Sequence, residues 1–379
     1  MRKKINWDDH KPKKITEDSK SRSKMIILTV VIIGIISSIF IIEGVRSGRM
    51  NLSDNSTIDL KAASDRTAFK DQYFKEKAKE LVRPDGYINV DNITIAENIG
   101  KKVILVDFWT YSCINCQRTT PYLNDWHDKY SDKGLLIIGV HTPEFNFEKD
   151  YSNVQAAVTK YGIKYPVVLD NEYFTWTAYA NRYWPRKYLI DIDGYIVYDH
   201  IGEGGYEETE KKIIAALEER EKVLRMDEGI DNNPMPPTVN TTDFGQIATP
   251  ELYLGYGFSR GQMGNTEGWH ADENFTYTMP ASKKNNAFYL GGTWMNNMDN
   301  MQSVSDAKIS LAYTAKNVNI VAGADSPSAI KVLVDGEEYA DVTVNAFDLY
   351  VVVPGEDYGH HTVDLEVEPG VKIYTFTFG

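Results

Sequence analysis

Val103-Ile-Leu-Val-Asp-Phe-Trp-Thr-Tyr-Ser-Cys-Ile-Asn-Cys-Gln-Arg-Thr-Thr-Pro121 is the stretch that decides the fold of this chain. Its first seven residues, Val103 to Trp109, are aliphatic or aromatic except for Asp107, and they read as a buried strand. Gln117 to Tyr130 reads as a helix, so Cys113 and Cys116, the only two cysteines in 379 residues, sit at the strand-to-helix turn. A thiol placed there faces unpaired backbone N–H groups and the positive end of a helix dipole, which favour thiolate over thiol. Two intervening residues let the sulfurs approach disulfide distance. A bridge closing so short a loop would constrain the unfolded chain very little, so the pair is read as redox-active and not as a structural staple. In thiol-disulfide exchange Cys113 would attack and Cys116, one turn inward, would resolve. Asp107 is out of place in a buried strand; a carboxyl there should have a raised pKa and could take the proton of Cys116. The bland alternative is an aspartate at a strand edge that meets solvent.

Outward from this stretch, strand-like and helix-like segments alternate from Tyr87 to about Val223. Strands are expected at 135–141, 165–169, 186–192 and 195–201, with helices at 150–161, 172–181 and 206–223. Asp193-Gly194 supplies the turn of a hairpin between the last two strands. The pattern is α/β with a central mixed sheet. Pro234, Pro236 and Pro237 then mark a linker. Beyond Thr249 short alternating runs dominate, separated by turns such as Asp335-Gly336 and Pro369-Gly370, the signature of an all-β jelly-roll sandwich.

Met25 to Ile42 is an uncharged run of 18 residues, long enough to span roughly 27 Å as a helix. Residues 1–24 carry net charge +5, leaving −18 for the remainder of a chain whose total is −13. The positive-inside rule therefore puts the N-terminus in the cytoplasm and everything after residue 42 outside. A cleaved signal peptide is the competing reading, but its apolar region would usually be shorter, and no A-x-A-like site follows Ile42. The acidity argues against nucleic-acid binding and against docking on anionic lipid. The resulting division is a basic tail (1–24), a transmembrane anchor (25–42), a tether with a short amphipathic helix over Ser64–Val82 (43–84), an α/β domain (85–225), a linker (226–248) and a β-domain (249–379).

Val106-Asp-Phe-Trp109, the C-x-x-C pair and Pro121 five residues later resemble the thioredoxin superfamily, in its exported TlpA-like branch. The resemblance extends over roughly residues 85–379. Gly139-Val-His-Thr-Pro-Glu-Phe145, Tyr183-Trp-Pro-Arg-Lys-Tyr-Leu-Ile-Asp191 and the ending Tyr374-Thr-Phe-Thr-Phe-Gly379 are similar to the extracytoplasmic C-terminal region of DipZ-type proteins. It implies a thioredoxin-like domain, a redox-active Cys113–Cys116 disulfide with no other cofactor or metal, and protein disulfides as substrates. It also implies that Pro185 is a cis-proline and that the Trp184 backbone pairs with an extended substrate segment. Glu144 falls where exported thioredoxin-like reductases often place an acid near the cysteines; for His141 nearby, a hydrogen-bonded strand-end residue is the reading preferred. With one apolar span, electrons are expected from a separate membrane donor of the CcdA or DsbD kind. The β-domain resembles a carbohydrate-binding module, and Trp269, Trp294 and Tyr256 are its candidate glycan-stacking residues.

Three other readings compete. A thiol peroxidase would use Thr110-x-x-Cys113, but Val106 stands where that pattern has proline. Copper delivery through both thiolates and His141 does not fit the cysteine spacing. A glycan- or partner-binding protein would keep the redox domain as a mere scaffold.

Overall fold

All seven residues of strand β2 (Val103–Trp109) are buried, which requires cover on both faces. Alternation along the strand divides them. Val103, Leu105 and Trp109 join one core with Leu123, Trp126 and Tyr130, while Ile104, Val106 and Phe108 join the other with Ile95, Tyr179 and Tyr188. The structure, a computed structural model, describes residues 65–74, 76–235 and 242–379. The apolar run Met25–Ile42 lies outside them, and no helix among the described residues is long and apolar enough to cross a membrane.

Strands β1 (Gly86–Ile88), β2, β3 (Leu135–His141), β4 (Val167–Leu169), β5 (Arg186–Ile190) and β6 (Ile196–Ile201) form one sheet in the order β1-β4-β3-β2-β5-β6. Strands β2, β3 and β4 run parallel, and β1, β5 and β6 are antiparallel to their neighbours. Helices α1 (Ile114–Tyr130), α2 (Tyr151–Lys160), α3 (Phe174–Ala178) and α4 (Tyr206–Leu224) complete a thioredoxin-like fold. Of the helix expected over Ser64–Val82, only 65–73 is helical among the described residues. Beyond it the chain is extended, pairing Lys77 with Tyr195, because the β5–β6 hairpin offers an unpaired edge there. Lys70 sits among Asp191, Asp193 and Glu219 at 2.6, 2.7 and 2.7 Å, so a lysine ammonium supplies the cation for this acidic cluster. The start of the predicted linker lies against the fold, with Met235 N–H donating to Glu210 and Lys129 to the Asn233 carbonyl.

The C-terminal region is all-β. Its strands are β7 (Leu252–Tyr253), β8 (Asn274–Tyr277), β9 (Phe288–Asn296), β10 (Met301–Ala315), β11 (Val318–Gly323), β12 (Ser328–Val334), β13 (Glu337–Val344), β14 (Asp348–Val353), β15 (Gly359–Val367) and β16 (Lys372–Phe378). Two separate sheets were expected; all ten strands share one hydrogen-bonded sheet. Its main path runs β13-β12-β15-β10-β16-β11-β14, and the end strands β13 and β14 approach each other, so the domain is nearly a barrel. Long strand β10 makes the continuity. Met301–Gln302 pairs with β16, whereas Ala307–Ala315 pairs with β15, and register shifts over Ser303–Lys308 turn the corner between them. Opposite the bend, Gly292 has φ +76° and an added Cβ would lie 2.1 Å from the Asp306 carbonyl oxygen, so only glycine fits.

The two domains belong to one compact unit, Phe69–Gly379. Phe145 and Phe147, in the loop after β3, insert between Tyr253, Phe258, Phe347 and Tyr374. Tyr111 O–H donates to the Phe347 carbonyl at 3.2 Å, and Lys160 pairs with Asp348 at 2.6 Å.

Candidate functional site

Cys113 is the N-cap of α1 and half-buried; its sulfur accepts from the Cys116 N–H at 3.3 Å. Cys116 is 2% exposed and packs against the β2 face that carries Leu105, Asp107 and Trp109. Burial pushes the Cys116 thiol well up, and the nearby Cys113 adds to the effect. One sulfur is therefore presented to solvent at a helix start and the other is held protonated behind it.

Asp107 is buried, and loss of solvation raises its carboxyl to about 7. The sequence reading missed its partner, Lys187. Antiparallel register sets Lys187 of β5 directly opposite Asp107, with Nζ 3.9 Å from Oδ1. Lys187 is fully buried; desolvation drives its pKa down while the Asp107 charge opposes the fall. Neither Asp107 Oδ1 nor Lys187 Nζ has a hydrogen-bond partner among the described residues. A carboxylate left with a spare acceptor beneath a buried thiol can take a proton at little structural cost.

Ser112, just before Cys113, is held by a second residue that the sequence reading passed over. Glu148 lies in the 3₁₀ turn Asn146–Lys149 and is fully buried. Its carboxyl accepts from Ser112 Oγ at 2.6 Å and Ser112 N–H at 3.3 Å, and from the Glu144 and Phe145 N–H groups at 2.5 and 2.9 Å. Burial raises its pKa and these bonds oppose the rise. Glu148→Ala would leave four donors without their acceptor. It is expected to cost about 3 kcal/mol in urea unfolding of the full chain, with Glu148→Gln recovering part of the loss.

His141 ends β3, fully buried, with Nε2 3.4 Å from Thr110 Oγ1 and its ring stacked on Tyr111. Burial lowers its pKa to about 3, so it is a neutral packing residue at physiological pH. The Trp184–Pro185 peptide is cis. Trp184 is half-buried: its indole N–H donates to the Thr142 carbonyl at 3.0 Å and its ring lies 4.2 Å from that of Trp176. Its backbone N–H and C=O have no partner among the described residues.

Cys113, Glu144 and Trp184 line one cleft of about 300 Å³ together with Glu251, Tyr253 and Arg260 of the β-domain. Glu144 accepts from the Tyr253 hydroxyl at 2.6 Å. Burial raises its carboxyl to about 8, and the neighbouring Glu251 charge contributes. Glu144 also lines an adjoining groove of about 830 Å³ walled by both domains.

The three aromatic residues expected to stack on glycans do not form an exposed platform. Trp294 is fully buried in the β-domain core, its indole N–H donating to the Gly291 carbonyl. Trp269 is half-buried, bonded to the Leu254 carbonyl and packed edge-on against Phe288. The Tyr256 hydroxyl is engaged by the Asp272 carboxylate at 3.0 and 3.1 Å. An aromatic in this sheet gains more from burial than from waiting for a ligand.

Residues 76–217 match the family described as Redoxin, and residues 249–379 match the thioredoxin like C-terminal domain. Protein DipZ of Mycobacterium tuberculosis is 37% identical over 286 residues, covering 75% of this chain and 40% of DipZ, so the chain spans less than half of that relative. Thiol-disulfide oxidoreductase ResA of Bacillus thuringiensis is 30% identical over 147 residues, 36% of this chain and 80% of ResA. A solution structure of a thioredoxin-like protein in the oxidized form is 26% identical with a TM-score of 0.35, covering 38% of this chain and 96% of its own. Taken with the C-x-x-C turn and the six-stranded sheet, the sequence matches to ResA and to the Redoxin family establish that the chain belongs to the thioredoxin superfamily.

Proposed function

We propose that this protein is a thiol-disulfide oxidoreductase that works as a reductase of disulfides in exported proteins, anchored outside the cytoplasmic membrane by Met25–Ile42. The observation that carries the reading is the pairing of a half-exposed Cys113 at the start of α1 with a buried Cys116 on the Asp107 face of β2. In the dithiol state the Cys113 thiolate attacks a client cystine and forms a mixed disulfide. Asp107, ionised, accepts the proton of Cys116, whose sulfur then attacks Cys113 and releases the reduced client. The product is a Cys113–Cys116 disulfide, the only redox group required. The backbone of Trp184, which has no partner among the described residues, lies beside the cleft, where an extended client segment can pair with it.

The single basic-flanked apolar run and the charge of −18 beyond residue 24 support the extracytoplasmic placement. In this reading a membrane donor of the CcdA or DsbD type restores the dithiol. The direction of electron flow is tested by equilibrating the protein with a glutathione series and quantifying the Cys113–Cys116 disulfide. A potential below about −200 mV is expected of a reductase, and a value near about −120 mV would overturn the direction.

A further inference from the structure

The redox cleft is built partly from the β-domain, and the groups contributed there include a phenol placed between two carboxyls. The Tyr253 hydroxyl lies 2.6 Å from Glu144 Oε1 and 3.2 Å from Glu251 Oε2. A phenol has one proton, so it can donate to only one of them. The second contact is satisfied only if the other carboxyl is itself protonated and donates to the phenolic oxygen. Two arrangements meet this condition: Glu251 protonated with the phenol donating to Glu144, or Glu144 protonated with the phenol donating to Glu251. They interconvert when each proton moves across one hydrogen bond, which transfers one proton from Glu251 to Glu144.

The surroundings hold that extra proton in place. Glu144 is faced by Glu251, Tyr253 and Arg260 from the β-domain, by Glu148 from its own loop and by Tyr173 beside α3. Burial raises the carboxyls of both Glu144 and Glu251. The Arg260 guanidinium sits 4.5 Å over the Tyr253 ring, and Phe145 and Phe258 pack around it. Glu144 shares the cleft with Cys113.

We propose that Glu144, Tyr253 and Glu251 form a proton relay that protonates the thiolate expelled when Cys113 attacks a disulfide. The inference rests on the thiol-disulfide reading given above. As the Cys113 sulfur bonds to one client sulfur, the client S–S bond breaks. Starting with the proton on Glu251, that proton passes to the phenolic oxygen as the phenolic proton of Tyr253 passes to Glu144. Glu144 hands its proton to the expelled sulfur, which leaves as a thiol, and Glu251 recovers a proton from solvent. The electrons come from the Cys113–Cys116 dithiol, reduced beforehand with dithiothreitol. Glu144 is the catalytic acid; Tyr253 and Glu251 act through it as positioning residues.

The relay matters only for a leaving thiolate basic enough to need a proton. Its test is the ratio of two rates measured with the full chain: reduction of bis(hydroxyethyl) disulfide, which expels a basic alkyl thiolate, and of dithiobis(nitrobenzoate), which expels a weakly basic aromatic one. Tyr253→Phe keeps the ring and removes the relay proton; Glu251→Gln keeps the side-chain shape and cannot exchange the proton. Each is expected to lower the alkyl-to-aromatic ratio by at least about tenfold. Equal slowing of both reactions would reduce Tyr253 to a packing role and overturn the relay, as would an unchanged ratio in both variants. In either case the assignment of the protein as a thiol-disulfide oxidoreductase would stand. Wild-type protein that reduces neither disulfide would instead sink that assignment, and the relay with it.

Discussion

Cys116→Ser is expected to convert the full chain from a turning-over enzyme into a trap. Cys113 would still attack, but no second sulfur lies behind it to displace the client, so mixed disulfides should accumulate and steady-state turnover should fall by at least about 10³-fold. Non-reducing electrophoresis followed by mass spectrometry reads the adducts directly. Cys113→Ser should lose turnover to the same degree and form no adducts, because Cys116 is 2% exposed and out of reach of a client. Absence of protein adducts from Cys116→Ser, under conditions where the wild type is active, would argue decisively against protein disulfides as substrates. Adducts of equal yield from both variants would overturn the assignment of attacker and resolver.

The second large effect is expected at Asp107. Its carboxyl, raised to about 7 by burial, acts as a base only when ionised, so the resolving step should accelerate as pH climbs through about 7 and level off only above about 8. Asp107→Asn keeps the shape of the side chain and removes the titration. Decay of the mixed disulfide should slow about 10²-fold near neutral pH, and the inflection near pH 7 should vanish, leaving a rise only where Cys116 ionises unaided. Stopped-flow measurement of client release across pH separates these outcomes. A variant whose pH profile overlays the wild type would remove Asp107 from the proton path.

The chemistry along one strand and the turn after it was legible in the sequence because it is local. Alternation within Val103–Trp109 places Asp107 on the same face as Leu105 and Trp109, and the cysteines follow within nine residues. What escaped was long-range. Lys187 meets Asp107 only through the register of β2 with β5, and nothing in Arg186-Lys187-Tyr188 marks the lysine as buried. Tyr253 reaches Glu144 across 109 positions of sequence. Glu148 carries no mark in the sequence, since its value comes from four donors that converge only once the loop has folded. The β-domain was read as two sheets because Gln302 to Asp306 is too polar to announce a strand, while pairing on both sides makes it one. Trp294 shows the same limit: an aromatic in a turn-rich stretch looks available, and the sheet buries it.

The wedge of Phe145 and Phe147 between the two domains bears on how far they can be separated. A thioredoxin-like half severed at the linker would keep its six strands and both cysteines. It would also bare two phenylalanines to water and strip Glu144 of its phenolic neighbour. Such a fragment would be a stickier protein with an altered neighbourhood around Glu144, so its stability and its redox centre both depend on the β-domain. The β-domain is then a working wall of the redox cleft, whatever else it binds.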